Sequence, residues 1–482
     1  MARISIETLL SPEELYSSSS PSVVRTALPL GGNPDVTLIN MNLMFVNQHR
    51  QPDHQNYVPL GILYIASTLV QHGYCVEFID YQLFSHAAAF DHELFIRSIA
   101  ETAPVVGFSC MSNLLPFTIL CAETLKKLKP DCTIVLGGVG PSPVAKQIID
   151  AFPFIDHVVA GEGELNMLDI MKGTGSALPA RRFADTLDML PAPAYSLLNF
   201  QYYNAAPSLV ASRGCPYHCA FCSEPQNFGG AVRFRGIEQI VDELEYLHSR
   251  TGRTMFLFQD DTMPVNRSRY SDLMQALRNL SFPIQWKCFS RVDLMDVELM
   301  KEMVGSGCVQ IRYGIESGCN KTLDKIQKGF TIEKAYEVTK LSVDYFLSVH
   351  TSFIWGYPFE EIKDMQETLS WVRKFQDIHA SVLLFEYCPL PGTRLHNEFN
   401  EDLQFSKEKY SFYVVTGHEV LDENATYVTN KSHDIIYNMI EKYPDIFVAF
   451  YHYNNRSAFE KRKQFETFNT TRRTSVKNEY DL

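Results

Sequence analysis

The sequence predicts an α/β protein in which a doubly wound parallel sheet is followed by a partial (β/α)6 barrel and a small, mostly helical C-terminal region. Short apolar strands alternate with helices over residues 34–175, and a strand-helix unit recurs over residues 206–395. A stretch rich in Pro and Ala, Leu190–Tyr195, lies between them. The chain therefore divides into an arm (1–33), a first domain (34–175), a linker (176–205), the barrel (206–395) and a C-terminal region with a tail (396–482).

Bulk composition narrows the function. At 482 residues the chain exceeds one ordinary core, and 45% hydrophobic content suits a globular protein. A net charge of −13 leaves no broad basic surface for phosphate backbones, so nucleic acid is not expected as substrate. Eleven cysteines are too sparse and irregular for a disulfide-stapled secreted scaffold, and the N-terminus lacks the layout of a signal peptide. The longest apolar stretch, Val58–Val70, carries Ser67 and Thr68 and reads as a buried helix rather than a membrane span. A cytoplasmic protein with no membrane partner is the expectation.

In the first domain the expected strands are Val36–Ile39, Tyr74–Ile79, Val105–Ser109, Thr133–Leu136 and His157–Ala160. Helices fall over Pro59–His72, Leu115–Lys129 and Val144–Phe152, while the Ser- and Gly-rich arm reads as loop. This order predicts an open, Rossmann-like sheet whose ligands sit beyond the carboxyl ends of the strands. Ser109, Met111, Ser112 and Asn113, then Gly137 and Gly138, then Gly161, Glu162 and Gly163 occupy those ends. Their glycines would admit a ligand close to the backbone, although any strand-helix turn uses similar residues.

The second domain's strands read as Leu209–Ser212, Met255–Phe258, Ile284–Phe289, Val309–Gly314, Val349–Ile354 and Val382–Glu386. Its helices fall near Ile237–Ser249, Ser271–Leu280, Val297–Val304, Ile332–Ser342 and Met365–Phe375, giving right-handed crossovers between parallel strands. After Arg394 the pattern fades into a polar, tyrosine-rich, largely helical stretch, and roughly the last twenty residues have a disordered composition.

The first barrel strand leads into Arg213–Glu224, where Cys215, Cys219 and Cys222 stand at Cys-x3-Cys-x2-Cys on a loop bent by Gly214 and Pro216. Three thiolates on one short loop can each take one iron of a cubane cluster, leaving the fourth iron open to a small molecule. A zinc site would want a fourth ligand such as His218, which adjoins Cys219 and would have difficulty reaching the same metal.

This loop resembles the radical S-adenosylmethionine superfamily, whose motif Cys-x3-Cys-x-aromatic-Cys is matched by Cys215, Cys219, Phe221 and Cys222. The resemblance implies a four-iron four-sulfur cluster whose open iron chelates S-adenosylmethionine, which the reduced cluster cleaves to a 5'-deoxyadenosyl radical. Later strand ends match in order: Gln259, Asp260 and Asp261; Arg291 and Asp293; Gly314-Ile315-Glu316-Ser317; Gly356-Tyr357-Pro358; and Pro389-Leu390-Pro391-Gly392-Thr393. By the same resemblance Phe221, Gln259, Asp260, Asp261, Arg291, Glu316, Ser317, Gly356 and Pro391 are the expected cofactor contacts.

The first domain is similar to the cobalamin-binding domain that precedes the barrel in a large subclass of that superfamily. The matches are Pro59–Ala66, Gly137-Gly138 with Pro141-Ser142, and Gly161–Glu164. The Asp-x-His-x-x-Gly motif for a lower cobalt ligand is absent, since Asp53-His54 and Asp156-His157 have the wrong spacing. What the resemblance implies is a cobalamin-dependent methyltransferase acting on an unactivated carbon, or phosphorus, of a small molecule or peptide, with flavodoxin or ferredoxin as reductant. Alternatives are a radical cyclase, a ring-contracting or carbon-carbon bond-forming enzyme without net methylation, and a non-catalytic cobalamin or iron-sulfur sensor.

Overall fold

The computed structural model describes residues 24–29, 33–41, 56–84, 90–401, 403–405, 431–453 and 456–473, which form two compact units. Most of the expected arm, Asp53-His54 and the extreme C-terminal tail lie outside the described residues.

In the first unit β1 (Arg25–Leu28), β2 (Val36–Asn40), β3 (Val76–Asp80), β4 (Val105–Ser109), β5 (Thr133–Gly137) and β6 (His157–Val158) form one sheet in the order β1-β3-β2-β4-β5-β6. Strands β2 to β6 run parallel, as their near-continuous apolar runs require of strands buried on both faces. The strand order reverses between β2 and β4, which places a switch-point crevice at the ends carrying Asn40 and Ser109.

Three elements of this unit escape the sequence reading, one of them the helix Glu164–Met171. Residues 25–28, assigned to the arm, instead pair antiparallel with β3; Arg25 reaches Glu77 at 3.2 Å, and Thr37 Oγ1 donates to the same carboxylate at 2.6 Å. The helix His92–Ser98 is capped by Asp91, whose side chain accepts from the Leu94 amide. Most of the linker is also part of the unit: Tyr195 and Leu197 are buried, and Ala194 N–H donates to the Leu63 carbonyl.

The second unit contains β7 (Ser208–Leu209), β8 (Ser212–Arg213), β9 (Arg233–Phe234), β10 (Met255–Phe258), β11 (Gln285–Ser290), β12 (Cys308–Glu316), β13 (Ser348–Trp355) and β14 (Ser381–Glu386). Six of these make a parallel sheet ordered β14-β13-β12-β11-β10-β7, with helices Ile237–Thr251, Arg267–Arg278, Val297–Gly305, Ile332–Tyr345 and Ile362–Asp377 as crossovers. The expected strand Leu209–Ser212 is interrupted: β7 belongs to the sheet, whereas β8 leaves it to pair with β9.

Burial alternates along these strands and fixes which way each side chain points. Trp286 and Tyr313 face the helices, where Tyr313 OH meets Ser342 Oγ at 2.8 Å, and Phe353 packs edge-on against Phe375. Lys287, Arg312 and His350 therefore face the concave side. Beyond the barrel the chain is mostly helical (Lys431–Lys442, Arg456–Arg473), with a small antiparallel pair, β15 (Leu403–Phe405) and β16 (Tyr451–Tyr453). Among the described residues no helix is long and apolar enough to cross a membrane.

At the end of β3 the buried Asp80 accepts from Asn40 at 2.8 Å, from Tyr203 OH at 2.7 Å and from the Gln82 amide at 3.1 Å. Burial outweighs these donors and pushes its carboxyl up to about 6 from 3.8. Between these values the native state keeps a proton that the unfolded chain has released, so the group's contribution to stability falls as pH rises through that window. Asp80→Asn should remove this slope, changing the wild-type-minus-variant stability by on the order of 2–3 kcal/mol between pH 4 and 7 in urea melts.

Candidate functional site

Cys215, Cys219 and Cys222 are all half-buried on the loop after β8, and that loop is held from several directions. Gly214 has φ +94°, and a Cβ there would lie 2.3 Å from the Ala231 carbonyl oxygen, so only glycine fits. Its N–H donates to Asp261 at 3.0 Å. Ala220 is fixed at both ends, donating to the Ile326 carbonyl and accepting from the Leu395 amide, each at 3.0 Å.

Each sulfur has a polar neighbour. Cys215 Sγ lies 3.4 Å from Thr262 Oγ1, Cys219 Sγ accepts from Arg291 at 3.8 Å, and Cys222 Sγ accepts from the Glu224 amide at 3.4 Å. Such contacts orient thiolate ligands and set the potential of a cluster. Burial pushes the Cys222 thiol up to about 12, so metal loading at this residue must expel a proton. Among the described residues no three His, Cys, Asp or Glu side chains converge on one metal ion, and a cubane, which offers a separate iron to each thiolate, does not need them to.

The other expected contacts fall into two groups. Asp260 is only 1% exposed; its oxygens accept from Ala211 N–H, Ser212 Oγ and Tyr270 OH, so it anchors the cysteine loop rather than facing a ligand. Ser317 is fully buried, its hydroxyl engaged with Thr368 and the Cys319 amide, which turns it away from the rim. Pro391 is likewise buried, in a turn that carries Thr393, the cap of the helix Arg394–Glu398.

The remaining rim residues are open to a ligand or shape the surface around one. Gln259 is exposed, Asp261 and Phe221 are half-buried, and Arg291 grips Asp293 through two contacts of 3.0 Å while stacking on Tyr217 at 3.7 Å. Glu316 adopts φ +74°, a strained conformation for a residue with a side chain, and its carboxylate lies 3.8 Å from Lys328. Gly356 has φ +87° and donates to Glu360 at 2.7 Å.

Sequence reasoning missed Lys328, Glu360 and Lys461. The last comes from the C-terminal helix, where its ammonium is 3% exposed, 3.7 Å from Glu360, and donates to the Tyr357 carbonyl. Burial pushes Glu360 up to about 7 against the pull of this lysine. The pair ties the C-terminal helix to the end of β13, as do the stacked rings of Trp355 and Phe465. A lysine in a polar helix is read by default as solvated, and only its spacing from Phe465 on one helix face hinted otherwise.

In the first unit the loops after β4 and β5 close on each other. Cys110 N–H donates to the Gly137 carbonyl, and a Cβ on Gly138 would lie 2.6 Å from the Cys110 carbonyl oxygen. These glycines therefore serve loop-on-loop packing, and Gly163 packs against Ile65. Gly161 N–H is held by Ser142, while Glu162 turns inward to accept from the Ala184 amide at 2.8 Å. Ser109, Ser112 and Asn113 are half-buried near exposed Met111 and Val139, and Asn113 Oδ1 lacks a hydrogen-bond partner among the described residues. An apolar pair beside an orphaned amide oxygen fits a large ligand with apolar and amide groups. Asp156 and His157 lie at the opposite end of the sheet, bonded to Lys126 and the Ser176 carbonyl.

Residues 209–372 match the radical SAM superfamily, and residues 54–170 match the B12 binding domain. The chain is a radical SAM enzyme. It belongs to the branch in which a B12 binding domain precedes the radical domain, and the cofactor set of that pairing is a [4Fe-4S] cluster, S-adenosylmethionine and cobalamin. It is 28% identical over 365 residues to an uncharacterized methyltransferase of Pyrococcus horikoshii, covering 70% of this chain and 77% of the relative. It is 25% identical to the anaerobic magnesium-protoporphyrin IX monomethyl ester cyclase of Cereibacter sphaeroides, covering 74% of this chain and 63% of that protein. The fold is shared with the radical S-adenosylmethionine methyltransferase TsrM from Kitasatospora setae, solved with cobalamin and a [4Fe-4S] cluster (TM-score 0.63, 17% identity, covering 77% of this chain and 80% of that one).

Gly214→Ala should leave the helical signal intact but cut iron retention after reconstitution several-fold, measured as iron per chain, because the loop cannot keep its approach to Ala231. Lys461→Met should destabilise the second unit by on the order of 3 kcal/mol by stranding a buried carboxylate. Adding Glu360→Gln should restore most of that loss in a double-mutant cycle read by thermal melting.

Proposed function

We propose that the protein is a cobalamin-dependent radical S-adenosylmethionine methyltransferase acting on an unactivated carbon, or phosphorus, of a small-molecule or peptide intermediate. The observation that carries this reading is the fixed three-cysteine loop with a polar contact at each sulfur, in a chain that also has a B12 binding domain. Bound at these sites, the cluster and S-adenosylmethionine supply a hydrogen-abstracting radical, and cobalamin supplies the methyl group.

The chain's own residues divide the remaining work. Cys215, Cys219 and Cys222 hold the cluster, with Arg291 and the Glu224 amide orienting two of the sulfurs. Gln259, Asp261, Glu316 and Gly356 give the rim its polar groups, and Phe221 packs between Tyr357 and Lys328 to shield the site from water. Met111, Val139 and Asn113 offer the cobalamin surface. Electrons come from an external reductant such as flavodoxin or ferredoxin.

A second reading, radical cyclisation without net methylation, is favoured by the similarity to the magnesium-protoporphyrin ester cyclase. Anaerobic reconstitution with hydroxocobalamin, followed by metal analysis, should give about four irons and about one cobalt per chain. Turnover should then yield S-adenosylhomocysteine together with 5'-deoxyadenosine, and Cys222→Ala should abolish both. Iron without cobalt, with 5'-deoxyadenosine alone, would favour the cyclase reading.

A further inference from the structure

Lys328 is a buried cation that the rim motifs do not account for, and the chain around it is built to hold it. It lies in the turn after the helix Asn320–Lys325 and is 5% exposed. Its neighbours on both sides, Gln327 at φ +61° and Gly329 at φ +76°, take the left-handed backbone, which is strained at the glutamine. The main chain ties the turn down: Lys328 N–H donates to the Leu323 carbonyl and the Ile326 carbonyl accepts from Ala220, each at 3.0 Å, while the Lys328 carbonyl accepts from Arg291. These bonds place the ammonium without using it.

The ammonium lies 3.8 Å from the Glu316 carboxylate and meets no other carboxylate among the described residues. The rings of Phe330 and Phe221 lie 5.6 and 6.0 Å from it and limit water on that side. Burial pushes the Glu316 carboxyl up, and the groups that act against this are Lys328 first, then Arg291 and the Ser352 hydroxyl. Arg291 is already gripped by Asp293 in two contacts of 3.0 Å, so Lys328 is the cation left to Glu316. The strained Glu316 backbone is held separately, by Tyr357 OH donating to its carbonyl at 3.5 Å. Gly314 makes room for the pair, since a Cβ there would lie 2.4 Å from Glu316 Oε1 and 3.4 Å from Lys328 Nζ.

We propose that Lys328 is a positioning residue for cofactor binding: its ammonium anchors the Glu316 carboxylate so that this group can accept hydrogen bonds from S-adenosylmethionine. The proposal rests on the reading of Glu316 as a cofactor contact. A charged acceptor holds a donor more strongly than a neutral carboxyl does, and a buried carboxylate without its counter-ion takes up a proton instead. Lys328 thus acts on the cofactor through Glu316.

The test is calorimetric titration of S-adenosylmethionine into the full chain, reconstituted anaerobically with cluster and cobalamin and kept without reductant so that no turnover occurs. Glu316→Gln should weaken binding at least about tenfold, the effect of losing one charged acceptor. Lys328→Met should weaken it to a similar extent with iron per chain unchanged, because the backbone bonds to the cysteine loop remain. The double variant should bind within about threefold of Glu316→Gln alone, since Lys328 then has nothing to anchor. It also leaves no unpaired buried charge, so this comparison holds even where Lys328→Met does not fold. Raising the pH from about 7 to 9 should restore affinity in Lys328→Met relative to Glu316→Gln, because the unpaired carboxyl ionises and the amide cannot. Wild-type affinity in Lys328→Met, losses that add in the double variant, or a Lys328→Met deficit that is the same at every pH would overturn the proposal. Full affinity in Glu316→Gln would instead overturn the reading of Glu316 as a cofactor contact, and the proposal with it. Iron-loaded wild type without saturable binding would overturn the radical reading.

Discussion

Three sulfurs on one short loop can serve one cluster only if the loop's backbone is held, and two adjacent aspartates at the end of β10 do much of the holding. Asp260 accepts from the backbone of Ala211 and the hydroxyl of Ser212, and Asp261 accepts from the Gly214 amide just before Cys215. Hydrogen bonds to a charged acceptor are worth about 1.5–3 kcal/mol each, more than a neutral turn supplies. Burial raises the carboxyls of both aspartates, so the site keeps these anchors inside at an electrostatic cost. The far side of the loop depends on two later segments: Ile326, which caps the helix Asn320–Lys325, and Leu395, in the helix Arg394–Glu398, bracket Ala220. The loop is thus assembled by segments far apart in sequence, which explains why the rim motifs recur in order along the barrel.

The strand-helix alternation was legible because parallel strands buried on both faces read as apolar runs, and because capping residues and glycines punctuate the helices. Strand β1 was hidden because Arg25–Leu28 is a four-residue edge strand without alternation, identified only by pairing with β3. The break between β7 and β8 was hidden for a related reason: Leu209–Ser212 has strand composition, but its partner changes midway. Among candidate site residues, residue type was legible and direction was not. Asp260 and Ser317 have the right chemistry for ligand contacts, yet each points into the protein, because a polar group at a strand end is equally suited to tie down the neighbouring loop.

The glycines of the first unit make the same point from the backbone side. Gly138 and Gly140 are required, but what approaches them is the Cys110–Ser112 backbone, and the surface left exposed is formed by Met111 and Val139. Close loop packing of this kind turns two separate strand ends into one rigid platform, which is more useful to a large ligand than bare glycines would be.

The C-terminal helix extends this logic to a region whose sequence looks featureless. Lys461, Arg462 and Phe465 come from one helix and reach Tyr357, Glu386 and Trp355, all at the ends of β13 and β14. An open parallel sheet leaves its last strands with a neighbour on one side only, and β14 is the edge of this one. Edge strands are usually protected by covering, charge or twist. Here the covering helix also brings a buried cation to Glu360, which holds the Gly356 amide. The geometry of the rim at β13 therefore depends on residues about a hundred positions later in the chain, as the separation of Tyr357 and Lys461 in one hydrogen bond records. A barrel cut off after the helix Arg394–Glu398 would retain every rim motif and lose the support that sets one of them.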